Sequence, residues 1–100
     1  MTGFSLTLEA RNPARNLWRA YHISAGTDLF GDWLIDLTYG RIGARGRTLR
    51  QTAPDQAEAR RLVRDCLRRR RTAPKRLGIP YRITQIDGDQ DWLGGMEFGQ

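Results

Sequence analysis

The chain has 100 residues and carries 17 Lys and Arg against 11 Asp and Glu, which gives a formal net charge of +6 at neutral pH. This length suits a single small core and excludes two independently folding units. All but one of the basic residues are arginine, and Lys75 is the exception. A guanidinium offers a planar fork of donors that suits phosphate and stacks on flat rings. The excess of arginine over lysine therefore favours nucleic acid as a partner. The simpler alternative is that the arginines form only a solvated basic surface.

Charge is distributed unevenly along the sequence. Residues 1–86 carry a net +10, whereas residues 87–100 hold four acidic residues and no base. We therefore predict a folded domain over 1–86 and an acidic C-terminal tail over 87–100. The tail is expected to be weakly ordered beyond Gly88, and to repel competing anions or cover the basic face. The apolar exceptions to check are Trp92, Leu93 and Phe98.

Several classes of protein are excluded by composition. No stretch approaches the roughly 18 apolar residues that a membrane span requires. The N-terminus lacks the basic and apolar segments of a secretory signal, so a cytoplasmic location is expected. Cys66 is the single cysteine and forms no internal disulfide, and Cys66 with His22 cannot supply a structural zinc site. We expect no metal and no cofactor.

Three stretches alternate apolar and polar residues with the period of a half-buried strand. The first covers residues 3–10, and the second covers 17–24 after a turn-forming loop at 11–16. The third runs from Trp33 to Tyr39, where large apolar residues recur at every second position. A glycine-rich basic turn follows it, and a fourth strand near residues 47–51 completes a hairpin.

One basic helix is predicted over residues 54–72. Thr52, Pro54 and Asp55 have the spacing of a helix start, with the Thr52 hydroxyl as the cap. Apolar residues recur at helical spacing from Ala59 to Leu67, and the arginines fall largely on the opposite face. A short final strand around Tyr81–Ile86 follows it. The residues expected to end the helix are Pro74, Gly78 and Pro80.

Residues for catalysis are scarce, because the chain offers one His, one Cys and no recognised nucleophile motif. His22 lies mid-strand, where a histidine is typically structural or faces solvent, and Cys66 belongs to the apolar helix stripe. Asp32 and Asp36 are expected to be turn and surface groups. The sequence therefore predicts neither an enzyme nor a small-molecule substrate.

The glycine turn, residues 39–47, is the first candidate contact region. Its glycine spacing matches neither a dinucleotide-binding fingerprint nor a P-loop, so a tight hairpin is the plain interpretation. Proteins do, however, use a flat aromatic ring surrounded by arginines to stack on a base or sugar while they bind phosphate, and Tyr39 with its neighbouring arginines has this composition. The candidate nucleic-acid-binding residues here are Tyr39, Gly40, Arg41, Arg45 and Arg47.

The helix is the second candidate region, since seven arginines lie between Arg60 and Arg71. Such a run is often a solvated helix end that is stabilised by the helix dipole. It is also suited to sequence-independent contact with phosphates, for which Arg64 and Arg68 are the candidates.

An ordered set of segments resembles the WGR domain, particularly its small bacterial stand-alone forms. They are Asn-Pro-Ala-Arg-Asn at 12–16, Arg-Ala-Tyr at 19–21, Asp-Leu-Phe-Gly-Asp-Trp at 28–33 and Tyr-Gly-Arg-Ile-Gly-Ala-Arg-Gly-Arg at 39–47. The resemblance covers roughly residues 4–86 and implies an α+β fold, an antiparallel sheet with one main α-helix packed across it. The predicted order of elements agrees with this fold.

The resemblance also implies a function. In poly(ADP-ribose) polymerases this domain is a non-catalytic module that contacts DNA at breaks through a tryptophan and an arginine. Carried over, those roles fall on Tyr39 and Arg41, with tyrosine offering a smaller stacking face and a hydroxyl. We therefore predict binding to nucleic acid, with DNA favoured over RNA, through phosphate contacts with little sequence readout. The alternative is a protein-interaction module whose basic face docks an acidic protein partner.

Overall fold

Alternating apolar residues produce long strands in this chain. The computed structural model describes residues 2–72, 75 and 78–98. Within these residues the strands are β1 (Thr2–Asn12), β2 (Leu17–Thr27), β3 (Trp33–Arg41), β4 (Arg47–Ala53) and β5 (Arg82–Gly88), and the helix is α1 (Gln56–Arg71). Two short 3-10 helices cover Pro13–Arg15 and Gln90–Leu93. Each predicted strand and the predicted helix are present, and the first four strands extend beyond their predicted ends.

The five strands form one antiparallel sheet in the order β4-β3-β2-β1-β5. Consecutive strands β1 to β4 are neighbours, which short turns permit only in an antiparallel sheet. After α1 the chain returns to the other edge and adds β5 beside β1. The predicted α+β fold is confirmed.

The two faces of the sheet have different roles. One face is apolar, with Leu6 of β1 opposite Ile23 of β2, and α1 packs Ala59, Val63 and Leu67 against it. The other face is polar and is not covered by α1. It carries a hydrogen bond of 2.8 Å between Thr7 Oγ1 and His22 Nδ1, one of 2.9 Å between the Thr38 and Thr48 hydroxyls, and an ion pair of 2.7 Å between Arg50 and Asp36.

The start of α1 differs from the prediction. Asp55 is the N-cap, and its carboxylate accepts a hydrogen bond of 2.8 Å from the Glu58 backbone N–H. Thr52 lies instead in β4, opposite Leu34. The reason is burial, because the side chain of Ala53 lies in the core and holds this part of the chain in the strand. The predicted stop at Pro74 lies outside the described residues.

The C-terminal segment is a second correction. β5 crosses the predicted boundary at residue 86, and the segment beyond Gly88 is not weakly ordered in the described residues. Trp92 is 1% exposed and stacks on Phe4, with their ring centroids 5.6 Å apart. Acidity is a poor guide to disorder when apolar side chains in the same segment have a core to cover. The buried residues here are Trp92, Leu93, Met96 and Phe98.

Candidate nucleic-acid interface

The glycine turn and the C-terminal half of α1 lie at the same end of the sheet. Tyr39 is opposite Tyr21 in the β2–β3 register, and Arg47 of β4 is opposite Tyr39. The guanidinium of Arg70, near the end of α1, lies 4.2 Å from the centroid of the Tyr21 ring. This end also holds the β1–β2 turn, because Arg19 at the start of β2 is opposite Arg41 at the end of β3. We call it the basic end: the β1–β2 turn, the β3–β4 turn and the C-terminus of α1.

Glycines make the β3–β4 turn this tight. Gly46 has a φ of +73°, and a Cβ at this position would lie 2.7 Å from the Tyr39 carbonyl oxygen. The Ala44 N–H donates to the Arg41 carbonyl over 3.0 Å and closes the turn. Arg45 lies in the turn and is exposed. The predicted residues Tyr39, Gly40, Arg41, Arg45 and Arg47 are therefore brought together by this hairpin.

Asn16 organises the neighbouring β1–β2 turn, a role that the sequence pattern does not reveal. Its backbone is left-handed, with a φ of 53°, which asparagine tolerates better than most residues. Its side-chain Oδ1 accepts hydrogen bonds from Trp18 Nε1 at 3.1 Å and from Arg41 Nη2 at 3.3 Å. The Ile42 N–H donates to the Trp18 carbonyl over 3.0 Å. Asn16 thus holds Arg41 and Trp18 together, and all three residues line one shallow pocket of about 300 Å³.

Two aromatic side chains at the basic end belong to opposite faces of the sheet. Tyr39 is on the face covered by α1, half-buried and packed against the core. Trp18 is half-buried on the open face, opposite Arg11. The one signal in the sequence for Trp18 was its alternation with Leu17 and Arg19 at the start of a predicted strand. That pattern assigns a face and does not reveal the contact with Asn16.

Charge is segregated along the strands. Residues 10–27 and 37–54 contain seven arginines and no acidic residue. In the described part of the chain, no carboxylate forms an ion pair with four arginines of this end, which are Arg19, Arg41, Arg45 and Arg47. Seven of the eleven acidic residues lie toward the other end, which we call the acidic end: the β2–β3 turn at 28–32, the start of α1 at 55–58, and residues 87–91 at the end of β5 and just after it.

The structure does not bring the two predicted helix residues to the glycine turn. Arg64 packs against Gly94, near the C-terminal 3-10 helix. Arg68 is paired with Asp65 at 2.9 Å. Arg70 approaches the basic end instead, and its Nε is buried without a hydrogen-bond partner among the described residues. Contact of Arg64 and Arg68 with nucleic acid stays a prediction.

The buried titratable groups near this end are held neutral. Burial raises the pKa of the Tyr21 hydroxyl, and the nearby Cys66 thiol raises it further. Burial also raises the pKa of the Cys66 thiol, more than the hydrogen bond with Tyr21 lowers it. Among the residues described, no cluster of three or more His, Cys, Asp or Glu could hold a metal ion. Nor does that part of the chain contain a helix long and apolar enough to cross a membrane.

Comparison with known proteins identifies the family. The family model described as the WGR domain matches residues 4–73, a range that holds β2 to β4, α1, the glycine turn and all but the first two residues of β1. The chain belongs to the WGR domain family. The range matched in this WGR domain includes Tyr39, Gly40 and Arg41 of the glycine turn.

A second comparison finds a relative of this WGR domain. The chain is 35% identical over 68 residues to an uncharacterized protein, y4dW, from Sinorhizobium fredii (strain NBRC 101917 / NGR234). The alignment covers 68% of this chain and 33% of the relative, so the chain spans about a third of that protein. No solved structure matches the chain.

Proposed function

We propose that this WGR domain is a non-catalytic DNA-binding module that contacts duplex ends with its basic end. The residues proposed for contact are Tyr39, Gly40, Arg41, Arg45 and Arg47. Membership of the WGR family supports binding of nucleic acid in general. The preference for DNA over RNA and for duplex ends belongs to the proposal.

The observation that carries this proposal is a set of arginines at the basic end that no carboxylate offsets. Among the described residues, Arg19, Arg41, Arg45 and Arg47 form no ion pair. Other surface arginines of the domain are offset by acids, as Arg11 is by Glu9 and Arg50 by Asp36. A concentrated, uncompensated positive field is what attracts and holds a phosphate backbone.

The geometry supports different roles for the arginines and the aromatic rings at this end. Asn16 holds the guanidinium of Arg41 in a fixed place, so less side-chain entropy is lost when Arg41 binds a phosphate. Arg45 and Arg47 are exposed and extend the positive surface along the hairpin. The rings of Tyr39 and Trp18 border the arginines on the two faces and offer apolar contact to a terminal base pair. Phosphate contacts of this kind position the duplex without reading its sequence.

A salt titration of affinity tests the proposal. We would measure binding of a fluorescent blunt duplex by the wild type, Arg41→Gln and Arg45→Gln over a range of salt concentrations. Each lost phosphate contact makes the negative slope of log K against log salt shallower by about 0.9. Arg61→Gln is the matched control, because it removes the same charge from a helix position already paired with Glu58 and Asp65. Equal slopes for all four proteins would remove the turn from the interface.

The same titration separates DNA from an acidic protein as the partner. Single-stranded DNA, duplex RNA and a duplex with closed hairpin ends serve as competitors. Preference for the open duplex supports end binding, whereas equal competition by all of them reduces the proposal to general polyanion binding. No measurable binding to any nucleic acid at low salt would favour the acidic protein partner.

A further inference from the structure

The β2–β3 turn displays two large apolar side chains in solvent. Leu29 is 99% exposed and Phe30 is 89% exposed, at the tip of the acidic end. A single exposed apolar residue is common on proteins, but two fully exposed neighbours form a patch that water solvates poorly. We call residues 28–32 the Leu-Phe turn.

The Leu-Phe turn is held rigid by its own hydrogen bonds. The Asp28 carboxylate accepts from the N–H groups of Phe30 at 2.8 Å and Asp32 at 3.0 Å. The Asp28 N–H donates to the Asp32 carbonyl over 2.9 Å, and Gly31 has the left-handed φ that the turn needs. A preorganised turn loses little entropy when it binds. Its shape is therefore suited to inserting Leu29 and Phe30 into a pocket.

The flanking charges restrict what the turn can enter. Asp28 and Asp32 repel the phosphates of nucleic acid and the headgroups of an anionic bilayer, so neither is a suitable partner. An apolar pocket with cations at its rim is complementary both to the apolar side chains of the turn and to its two carboxylates. The binding partner is therefore a protein surface of that chemistry.

This chain carries such a surface at the β5 edge of the sheet, at the end away from the Leu-Phe turn. An open groove of about 550 Å³ lies beside the start of β5, with Ile79, Pro80 and Ile83 among its lining residues. Glu9, Arg11 and Arg82 also line it. Glu9 is paired with Arg11 at 2.8 Å, so Arg82 is the cation of this groove that no carboxylate offsets among the described residues. Ile83 is 38% exposed, which is unusual for an isoleucine in a strand that borders the core. We call it the β5 groove.

We propose that the Leu-Phe turn of one molecule inserts into the β5 groove of a second copy, so that molecules associate head to tail. A contact within one molecule is excluded by distance. Arg82 of the groove pairs with Glu9 of β1, whereas the Leu-Phe turn lies beyond Thr2 at the other end of β1. The groove and the turn are therefore about seven residues apart along β1, roughly 23 Å. Such a contact joins two different surfaces and produces open chains or rings.

Assembly of this kind leaves the β3–β4 turn of the proposed DNA site accessible. The β5 groove is at one edge of the sheet, and the β3–β4 turn is near the other edge, across β1 and β2. The inference therefore goes beyond DNA binding and does not depend on it. Two inserted side chains make a small interface, so we expect weak association in the micromolar to millimolar range.

Sedimentation velocity from about 10 µM to about 1 mM measures this association. The wild type is expected to rise above its monomer mass of 11.5 kDa with concentration, and less so at high salt. Leu29→Ser/Phe30→Ser removes the turn contact, and Ile83→Glu places a carboxylate in the groove. Each variant alone is expected to stay at monomer mass. Leu49→Ser, an exposed apolar position on β4 outside both surfaces, is the matched control and should associate like the wild type.

Mixing the two variants is the decisive step. The turn variant keeps an intact groove and the groove variant keeps an intact turn, so an equimolar mixture should form a one-to-one dimer that grows no further. If Ile83→Glu fails to fold by circular dichroism, Arg82→Glu takes its place at an exposed position. A wild type that stays monomeric, a turn variant that associates like the wild type, or a mixture that stays monomeric would each overturn the proposal. Capture of the turn by a different protein, with a monomeric wild type, would do so as well.

Discussion

Trp92 offers the sharpest test of the fold, because the sequence placed it in an acidic tail and the structure places it in the core. Its ring stacks on Phe4 and lies 5.4 Å from the ring of Trp33, and the guanidinium of Arg60 lies over it at 5.1 Å. Removing a buried tryptophan side chain costs about 3–5 kcal/mol. We therefore expect Trp92→Ala to lower the free energy of unfolding by about 4 kcal/mol, a large part of the roughly 5–15 kcal/mol of a typical domain.

Urea unfolding followed by far-ultraviolet circular dichroism measures this change without relying on tryptophan fluorescence. In a thermal melt the same loss corresponds to a fall in Tm of about 15–30 °C. Gln90→Ala is the control, since Gln90 is exposed in the same 3-10 helix and its loss should cost no more than about 0.5 kcal/mol. A loss below about 1 kcal/mol for Trp92→Ala would show that the C-terminal segment is not part of the core.

Other predictions follow from caps, glycines and charges. Asp55→Ala removes the N-cap of α1 and is expected to cost about 1 kcal/mol in urea unfolding. Gly46→Ala is expected to cost more than about 1 kcal/mol in the same assay, because φ is positive there and the new Cβ meets a backbone oxygen. Arg50 lowers the pKa of Asp36 through a hydrogen bond. The stability from this pair is therefore complete above the ordinary carboxyl pKa and is lost as pH falls through the lowered one, so Arg50→Gln should flatten the acid limb of Tm against pH. Replacing the aspartates of 87–91 by asparagine should leave DNA affinity within about twofold in the salt titration near physiological ionic strength.

Periodicity in the sequence was sufficient to predict the elements and their order. Alternation from Phe4 to Leu8 and from Trp33 to Tyr39 identified strands, and the apolar stripe of α1 identified its buried face. The ends were less accurate, because Thr52 and Asp55 are both good caps and only the burial of Ala53 decides between them. Local propensity cannot predict this burial, because the burial of Ala53 depends on its pairing with Trp33 of β3.

The candidate site was predictable in its local part only. The glycine turn could be recognised within one continuous segment, so its residues were identified together. Asn16 and Trp18 contact Arg41 from another turn, and Arg70 reaches Tyr21 from α1, so these depend on how β2, β3 and α1 pack. The spacing of arginines in α1 does not show which of them point to the basic end.

The acidic residues at 87–91 are too far from the glycine turn to cover it. Asp87 is level with Ser5, and Arg41 is level, through Arg19, with Ala10. These levels differ by five residues, about 16 Å along the strands, and β5 and β3 are three strands apart, about 14 Å across the sheet. The resulting separation of about 20 Å exceeds twice the Debye length of about 8 Å at physiological ionic strength. Asparagine at 87, 89 and 91 therefore tests the effect of these charges on binding, whereas deletion of the segment also removes buried Trp92 and confuses binding with stability. A gain in affinity of tenfold or more for the asparagine variant would show that the acids do reach the basic end.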